Sequence, residues 1–174
     1  MTTDEARAMV MGQMQGAAAL HLAYVGVVNG LFDVLSEPLD VATAAARAGV
    51  DAGYLRRWCE AAYAFGYLDA TEGVFRTTAL GALFRPSAPG SFMPMAVSVT
   101  LGAHMMERAA GLMKSGERPG ERVLAERETV LPWFGPMLEA TFAPMFVREI
   151  LPRLSVFEAV DARGGLVVDL GCGN

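Results

Sequence analysis

The chain has 174 residues, of which 53% are apolar and 19% charged, and its formal net charge is −5. This composition excludes a disordered or low-complexity chain, because it supplies enough apolar surface to form a core. The acidic balance argues against a protein that binds nucleic acid by neutralising phosphates. Cys59 and Cys172 lie far apart and form no metal-ligand spacing. We therefore expect two reduced thiols, no metal site and a cytoplasmic location.

The first predicted element is an uncharged stretch at residues 8–32, which is 25 residues long. That length would span a bilayer, but no basic cluster flanks it, and uncharged polar side chains interrupt it at Gln13, Gln15, His21 and Asn29. The pairs Gly12/Gly16 and Gly26/Gly30 allow close helix contact in membranes and in buried soluble interfaces alike. We expect a helix buried all round, partly by a second subunit, and no membrane span. The stretch thus predicts a homodimer formed through the N-terminal helices.

The next 45 residues carry local signals for a compact helical unit. Helical spacing over residues 21–35 ends at Ser36-Glu37-Pro38. Asp40 is a predicted N-cap for a helix at residues 41–48, which Gly49 ends, and Asp51 is a predicted N-cap for a helix at residues 52–65. In that helix one apolar stripe is predicted, consisting of Tyr54, Trp58, Ala62 and Phe65. Two short strands, at residues 67–69 and 74–77, follow as a hairpin. This order predicts a winged helix-turn-helix.

A winged helix first suggests DNA binding, but the charges of this unit do not favour it. Residues 36–85 contain five arginines and six acidic residues, and the predicted hairpin tip carries Glu72. A helix that docks in the major groove normally brings a clear positive excess. We therefore expect a structural unit and no nucleic-acid partner.

The sequence ends on a different kind of element. Leu166-Val167-Val168-Asp169-Leu170 is a continuous apolar run of strand type, and Gly171-Cys172-Gly173-Asn174 follows it. A buried strand that ends in Asp and Gly-x-Gly is typical of a turn where backbone approaches a nucleotide-like ligand. The pattern resembles the first glycine-rich motif of class I S-adenosylmethionine-dependent methyltransferases. The resemblance, to small-molecule O-methyltransferases with an N-terminal winged-helix dimerisation domain, extends to residues 30–35, 54–58 and 65–68.

The resemblance implies roles for particular residues. Asp169 would lie near the methionine amino group of S-adenosylmethionine, and Gly171 and Gly173 would let the backbone pass beside the ribose and methionine portion. Helices between the wing and the motif would form part of the acceptor pocket, in which a Met and aromatic set suits a flat apolar ligand. The candidates are Met93, Met95, His104, Met105, Trp133, Phe134, Met137, Phe142, Met145 and Phe146, although core packing is the better explanation of any single one. No catalytic residue is assigned, since the family's base would lie after Asn174.

These expectations define three regions. Residues 1–90 would hold the N-terminal helices and the winged-helix dimerisation domain, residues 91–160 a helical linker and substrate-lid segment, and residues 161–174 the start of a Rossmann-like domain. The expected fold class is mainly α, with only the first strand of an α/β methyltransferase domain. We expect an N-terminal fragment, inactive by itself, of an enzyme that methylates a small apolar or aromatic metabolite, with O-methylation favoured. The alternative is a non-enzymatic winged-helix regulator or scaffold, in which the terminal glycine motif is accidental.

Overall fold

The computed structural model describes residues 1–120, 122–126 and 128–168. Within these residues the chain is mainly helical with one small sheet, which confirms the predicted fold class. The helices are α1 (Thr3–Val28), α2 (Leu31–Val34), α3 (Val41–Ala48), α4 (Ala52–Ala64), α5 (Ala79–Ala82), α6 (Met93–Ser115), α7 (Arg122–Ala125), α8 (Phe134–Met145) and α9 (Ser155–Asp161). The strands are β1 (Leu39–Asp40), β2 (Leu68–Thr71) and β3 (Val74–Thr77).

Helix α1 begins with a capping box in which Thr2 and Glu5 satisfy each other's backbone N–H groups. The helical spacing predicted over residues 21–35 is broken, because Gly30 adopts a left-handed conformation with φ of 62°. The chain turns there and re-enters a helix at Leu31. Gly30 therefore lies outside α1, and its predicted pairing with Gly26 on one helix face is wrong.

The caps of α3 and α4 are confirmed. The carboxylates of Asp40 and Asp51 accept hydrogen bonds of 3.0 and 2.9 Å from the backbone N–H groups of Thr43 and Tyr54. The hydrogen bonds that the backbone N–H and the hydroxyl of Thr43 donate to Asp40 hold the pKa of that carboxyl below its ordinary value. The predicted stripe of α4 needs one correction, because Tyr54 is 80% exposed and the buried positions are Leu55, Trp58, Cys59 and Ala62. Leu55 lies about 100° further round the helix than Tyr54, and this rotation turns its side chain toward the core.

The predicted hairpin is confirmed, and it forms part of a three-stranded antiparallel sheet in the order β1-β3-β2. Leu68 pairs with Thr77, and Thr71 pairs with Val74. Glu72 and Gly73 at the turn both have positive φ, 51° and 82°, as a tight two-residue hairpin turn requires. The sequence did not predict β1, which pairs through Leu39 with Phe75.

The core lies between α1, α4 and the sheet, and its centre is the fully buried ring of Phe32. This ring contacts three others, with centroid distances of 5.5 Å to Trp58, 6.1 Å to Tyr67 and 5.7 Å to Phe84. Arg85 ties the same segment down, since its Nε donates a 3.1 Å hydrogen bond to the carbonyl oxygen of Phe32. The core thus fixes the C-terminal end of α1 against α4.

The second half of the chain adds a helical layer. Helix α6 packs on α1 and α8. Within the expected helical linker, residues 131–153 form a 3-10 turn (Leu131–Trp133), α8, a π turn (Phe146–Ile150) and a second 3-10 turn (Leu151–Arg153). Residues 166–168 of the predicted terminal strand are exposed and pair with no strand in the described structure, as expected of a strand without neighbours. In the described part of the chain, no helix has both the length and the hydropathy of a membrane span.

Candidate functional site

An open cavity of about 610 Å³ lies between the start of α6 and the outer side of α8. Its wall is built by residues that share one face of a continuous helical path, since they follow one another at intervals of three or four: Pro136, Glu139, Ala140, Ala143, Pro144, Val147 and Arg148. Pro86 and the fully buried Met93 close the other side. The surface is mostly apolar, with one carboxylate and one guanidinium, which suits an apolar ligand that carries a polar group.

Sequence reasoning missed most of this wall. Of the candidate pocket residues named from the sequence, only Met93 lines the cavity. The expected lining consisted of Met and aromatic side chains, whereas small residues and prolines leave the space open. The signal in the sequence was the helical spacing of residues 136, 140, 143 and 147, together with Pro144.

The candidate acceptor residues fall into separate groups. Trp133, Phe134 and Met137 pack against the hydrophobic core, and the Sδ of Met137 accepts a 3.2 Å hydrogen bond from Ser98 Oγ. In contrast, Phe142, Met145 and Phe146 are 40–51% exposed on α8 and the turn after it, and Met95 and Met105 are exposed on α6. The structure therefore does not gather these residues into one pocket.

His104 lies in a polar cluster that joins α6 to α7 and the residue after it. Its buried ring places Nε2 3.2 Å from the carbonyl oxygen of Val123 and 3.3 Å from Glu126 Oε2. The same carboxylate oxygen lies 3.1 Å from the Nε of Arg108. These contacts tie His104 to the segment at residues 122–126, and it does not line the cavity.

A second apolar groove, of about 600 Å³, lies between α1 and α4. One wall is the face of α1 that carries Leu22, Val25 and Asn29, and the other includes Tyr54, Leu55 and Trp58 of α4. The indole Nε1 of Trp58 donates a 3.0 Å hydrogen bond to the carbonyl oxygen of Leu22 and so holds the two walls together. Val25 and Tyr54 are exposed at the rim.

The residues assigned to the cofactor, Asp169, Gly171 and Gly173, lie outside the described residues, as does Cys172. Within the described ranges, no three His, Cys, Asp or Glu side chains come together where they could hold a metal ion. Cys59 is buried, and burial raises the pKa of its thiol to about 12. The thiol is therefore protonated at neutral pH, which makes it a poor nucleophile.

No protein-family model and no curated protein matches the sequence. Solved structures do match the fold. LaPhzM is 21% identical with a TM-score of 0.64, over 80% of this chain and 45% of that one. Human N-acetylserotonin methyltransferase in complex with SAM is 20% identical with a TM-score of 0.60, over 90% of this chain and 51% of that one. The mitomycin 7-O-methyltransferase MmcR is 20% identical with a TM-score of 0.59, over 94% of this chain and 48% of that one.

The chain therefore has a fold that S-adenosylmethionine-dependent O-methyltransferases contain, and it spans about half the length of the structures it matches. The expected resemblance is confirmed at the level of fold.

Proposed function

We propose that this chain is the dimerisation and acceptor-lid part of an S-adenosylmethionine-dependent methyltransferase that acts on a small, apolar or aromatic metabolite. The observation that carries the proposal is the fold, which matches methyltransferases over 80–94% of the chain in the three comparisons. The terminal motif Val-Val-Asp-Leu-Gly-Cys-Gly supports it independently, because it is read from the sequence and not from the shape of the fold. Residues 1–90 would form the winged-helix dimerisation domain, residues 91–160 the lid, and residues 161–174 the start of the cofactor domain.

The proposed reaction moves a methyl group from a sulfonium to a nucleophilic atom of the acceptor, with O-methylation favoured. S-adenosylmethionine supplies the activated methyl group, and Asp169, Gly171 and Gly173 are the proposed contacts to it. Alignment of the two reactants and exclusion of water supply much of the rate enhancement in such a displacement. In this reaction, the proposed role of this chain is to cover and orient the acceptor.

The lid assignment rests on the layer formed by α6 and α8. The cavity at Met93, Pro136 and Pro144 offers an apolar surface of the right size for a small ligand. Phe142, Met145 and Phe146 remain proposed acceptor contacts, because a group of large exposed apolar side chains on α8 and the turn after it is unusual unless something covers it. Trp133, Phe134 and Met137 are better explained as core residues.

The dimer assignment rests on α1. Its buried residues all lie in its last six positions, Ala23, Gly26 and Val27, while Met9, Val10, Met11 and Met14 are 48–60% exposed. Exposure of these apolar side chains to water is energetically unfavourable, and a second copy of the chain is the simplest partner that would bury them.

The test is calorimetric titration of S-adenosylmethionine into this chain and into the whole methyltransferase of which we propose it is a part. We expect the whole protein to bind with micromolar affinity and the 174-residue chain to show no heat of binding. Absence of binding by the whole protein would refute the methyltransferase proposal. Micromolar binding by the 174-residue chain would refute the expectation that this chain by itself cannot bind the cofactor.

The regulator alternative has one observation in its favour, the order of α3, α4 and the hairpin, which DNA-binding winged helices share. Further sequence would distinguish the regulator from the methyltransferase. A third glycine soon after Asn174 and an acid at the end of a second apolar strand would favour the methyltransferase.

A further inference from the structure

The cavity between α6 and α8 has two charged residues in its otherwise apolar wall, Glu139 and Arg148. Both are exposed at its rim, whereas Met93 on the other side is fully buried. Among the described residues, neither charged group forms an ion pair or a side-chain hydrogen bond. The cavity thus presents an apolar surface and two opposite charges that are available to a ligand.

The backbone explains how Arg148 reaches the cavity. In a regular α-helix, at 100° per residue, Arg148 would lie roughly half a turn round from Glu139. Pro144 has no N–H to donate to the carbonyl oxygen of Ala140, and α8 continues into the π turn at Phe146–Ile150. A π turn contains more residues than an α-helical turn, so each residue rotates less, and Arg148 stays in the cavity wall. Such turns are uncommon, and they occur often at functional sites.

The separation of the two charges sets the size of the ligand. Glu139 and Arg148 are nine residues apart on this helical path, which is roughly 13 Å at 1.5 Å per residue. The wall between them includes Ala140, Ala143 and Pro144, whose side chains carry no polar atom. The volume of about 610 Å³ lies within the range of small-molecule sites. A flat body of two fused rings with a polar group at each end fits this arrangement.

The signs of the charges decide the chemistry of the two ends. The guanidinium of Arg148 is a planar fork of N–H donors, which matches a carboxylate through two parallel hydrogen bonds. The carboxylate of Glu139 accepts hydrogen bonds and donates none, so the group that faces it has to be a donor such as a hydroxyl. The whole chain has a formal net charge of −5, so an anion is attracted here by the local guanidinium and not by the surface in general.

We propose that the cavity binds an apolar hydroxycarboxylic acid, with its carboxylate on Arg148, its hydroxyl on Glu139 and its rings against Met93, Ala140 and Ala143. This inference rests on the proposed function for the identity of the ligand as the methyl acceptor. It adds the charge of that acceptor and the two residues that select it.

The first experiment compares three probes of one ring system, titrated into the full 174-residue chain and followed by ligand-observed NMR. The compound 6-hydroxy-2-naphthoic acid carries both polar groups at opposite ends, whereas 2-naphthoic acid lacks the hydroxyl and 2-naphthol lacks the carboxylate. We expect the hydroxy acid to bind with a dissociation constant below roughly 100 μM. The other two probes should bind at least roughly tenfold more weakly. Binding of 2-naphthol as tight as that of the hydroxy acid would overturn the anion site.

The second experiment assigns the carboxylate end to Arg148. Arg148→Gln should weaken binding of the hydroxy acid and of 2-naphthoic acid at least roughly tenfold and leave 2-naphthol unchanged. Arg148→Lys should recover part of the loss, because it restores the charge without the planar fork. Arg153→Gln is the matched control, since Arg153 is exposed nearby and does not line the cavity. Equal losses in Arg148→Gln and Arg153→Gln would overturn the site.

The third experiment tests the hydroxyl end and the location. Glu139→Met should weaken binding of the hydroxy acid and of 2-naphthol, but not of 2-naphthoic acid. Ala143→Phe fills the cavity and should abolish binding of the hydroxy acid, whereas Leu138→Phe is the control on the same helix but outside the cavity wall. Thermal unfolding of each variant confirms that it is folded. Binding that survives Ala143→Phe unchanged would overturn the location.

The results separate this site from the proposed function. Binding of the hydroxy acid by this chain, without binding of S-adenosylmethionine by the whole proposed methyltransferase, would support the site and refute the methyltransferase. Binding of S-adenosylmethionine by the whole protein, without binding of the hydroxy acid, would refute the site alone. Absence of binding of all three probes at millimolar concentration would also overturn the site.

Discussion

The indole of Trp58 donates a 3.0 Å hydrogen bond to the carbonyl oxygen of Leu22, which lies 36 residues earlier in the chain. This bond joins α4 to α1 at the place where α1 enters the core. The same ring packs edge-on against Phe32, with a centroid distance of 5.5 Å. One side chain therefore fixes the direction of α1 and shapes the groove beside it.

We expect Trp58→Phe to lower the free energy of unfolding by about 1–3 kcal/mol, through loss of the hydrogen bond and part of the buried ring. Urea unfolding measures the change. Tyr63→Phe in the same helix is the control, because Tyr63 is 54% exposed and should change stability by less than about 0.5 kcal/mol. Equal effects of the two substitutions would contradict the role of Trp58.

Gly26 is a second fixed point of α1. A Cβ at this position would lie 2.6 Å from ring atoms of both Phe32 and Trp58. Since those rings are buried, we expect Gly26→Ala to destabilise the fold by about 1–3 kcal/mol, despite the helix propensity of alanine. Gly111→Ala in α6 is the matched control, because that position is open. It should be neutral or stabilising by up to about 1 kcal/mol in thermal unfolding.

The thiol of Cys59 gives a prediction about pH. Burial raises its pKa from 9.0 to about 12, so the fold favours the neutral thiol. This contribution to stability is fully present below pH 9 and is lost as pH rises toward 12. In a Cys172→Ser background we expect Cys59 to resist alkylation at pH 7 until urea unfolds the chain. Cys59→Ala should lose less stability than its parent between pH 8 and pH 11. Rapid alkylation of the folded protein would contradict the burial.

The charges of the unit formed by α3, α4 and the β2–β3 hairpin give a prediction about DNA binding. Arg56 and Arg57 on α4 are accompanied by Glu60, and Glu72 stands at the hairpin turn. We expect only weak, salt-sensitive binding to a duplex, without sequence preference. A mobility shift that persists at physiological salt would instead favour a regulator.

Local chemistry explains which parts of the fold were predictable. Asp40, Asp51 and Gly49 act within one turn of their own positions, so their capping and stop signals are readable in the sequence. The two residues of β1 carry no such signal, because their strand exists only through pairing with β3.

The candidate site was less predictable for a related reason. Residue type drew attention to Phe142 and Met145, whereas the cavity is formed by the small side chains and prolines of a neighbouring face of α8. Gly26 faces the core because the rings of Phe32 and Trp58, which lie 6 and 32 residues later in the sequence, pack against it. Spacing alone does not reveal which face of a helix turns inward.

Binding of the cofactor is measured most directly by titration of S-adenosylmethionine into the whole proposed methyltransferase, with Asp169→Asn beside the unmodified protein. We expect micromolar binding by the unmodified protein and a loss of at least roughly tenfold in the variant, because the substitution removes the negative charge proposed to face the methionine amino group. Circular dichroism of both proteins confirms that the variant is folded. Equal binding by both proteins would contradict the role of Asp169, and absence of binding by the unmodified protein would contradict the methyltransferase assignment itself.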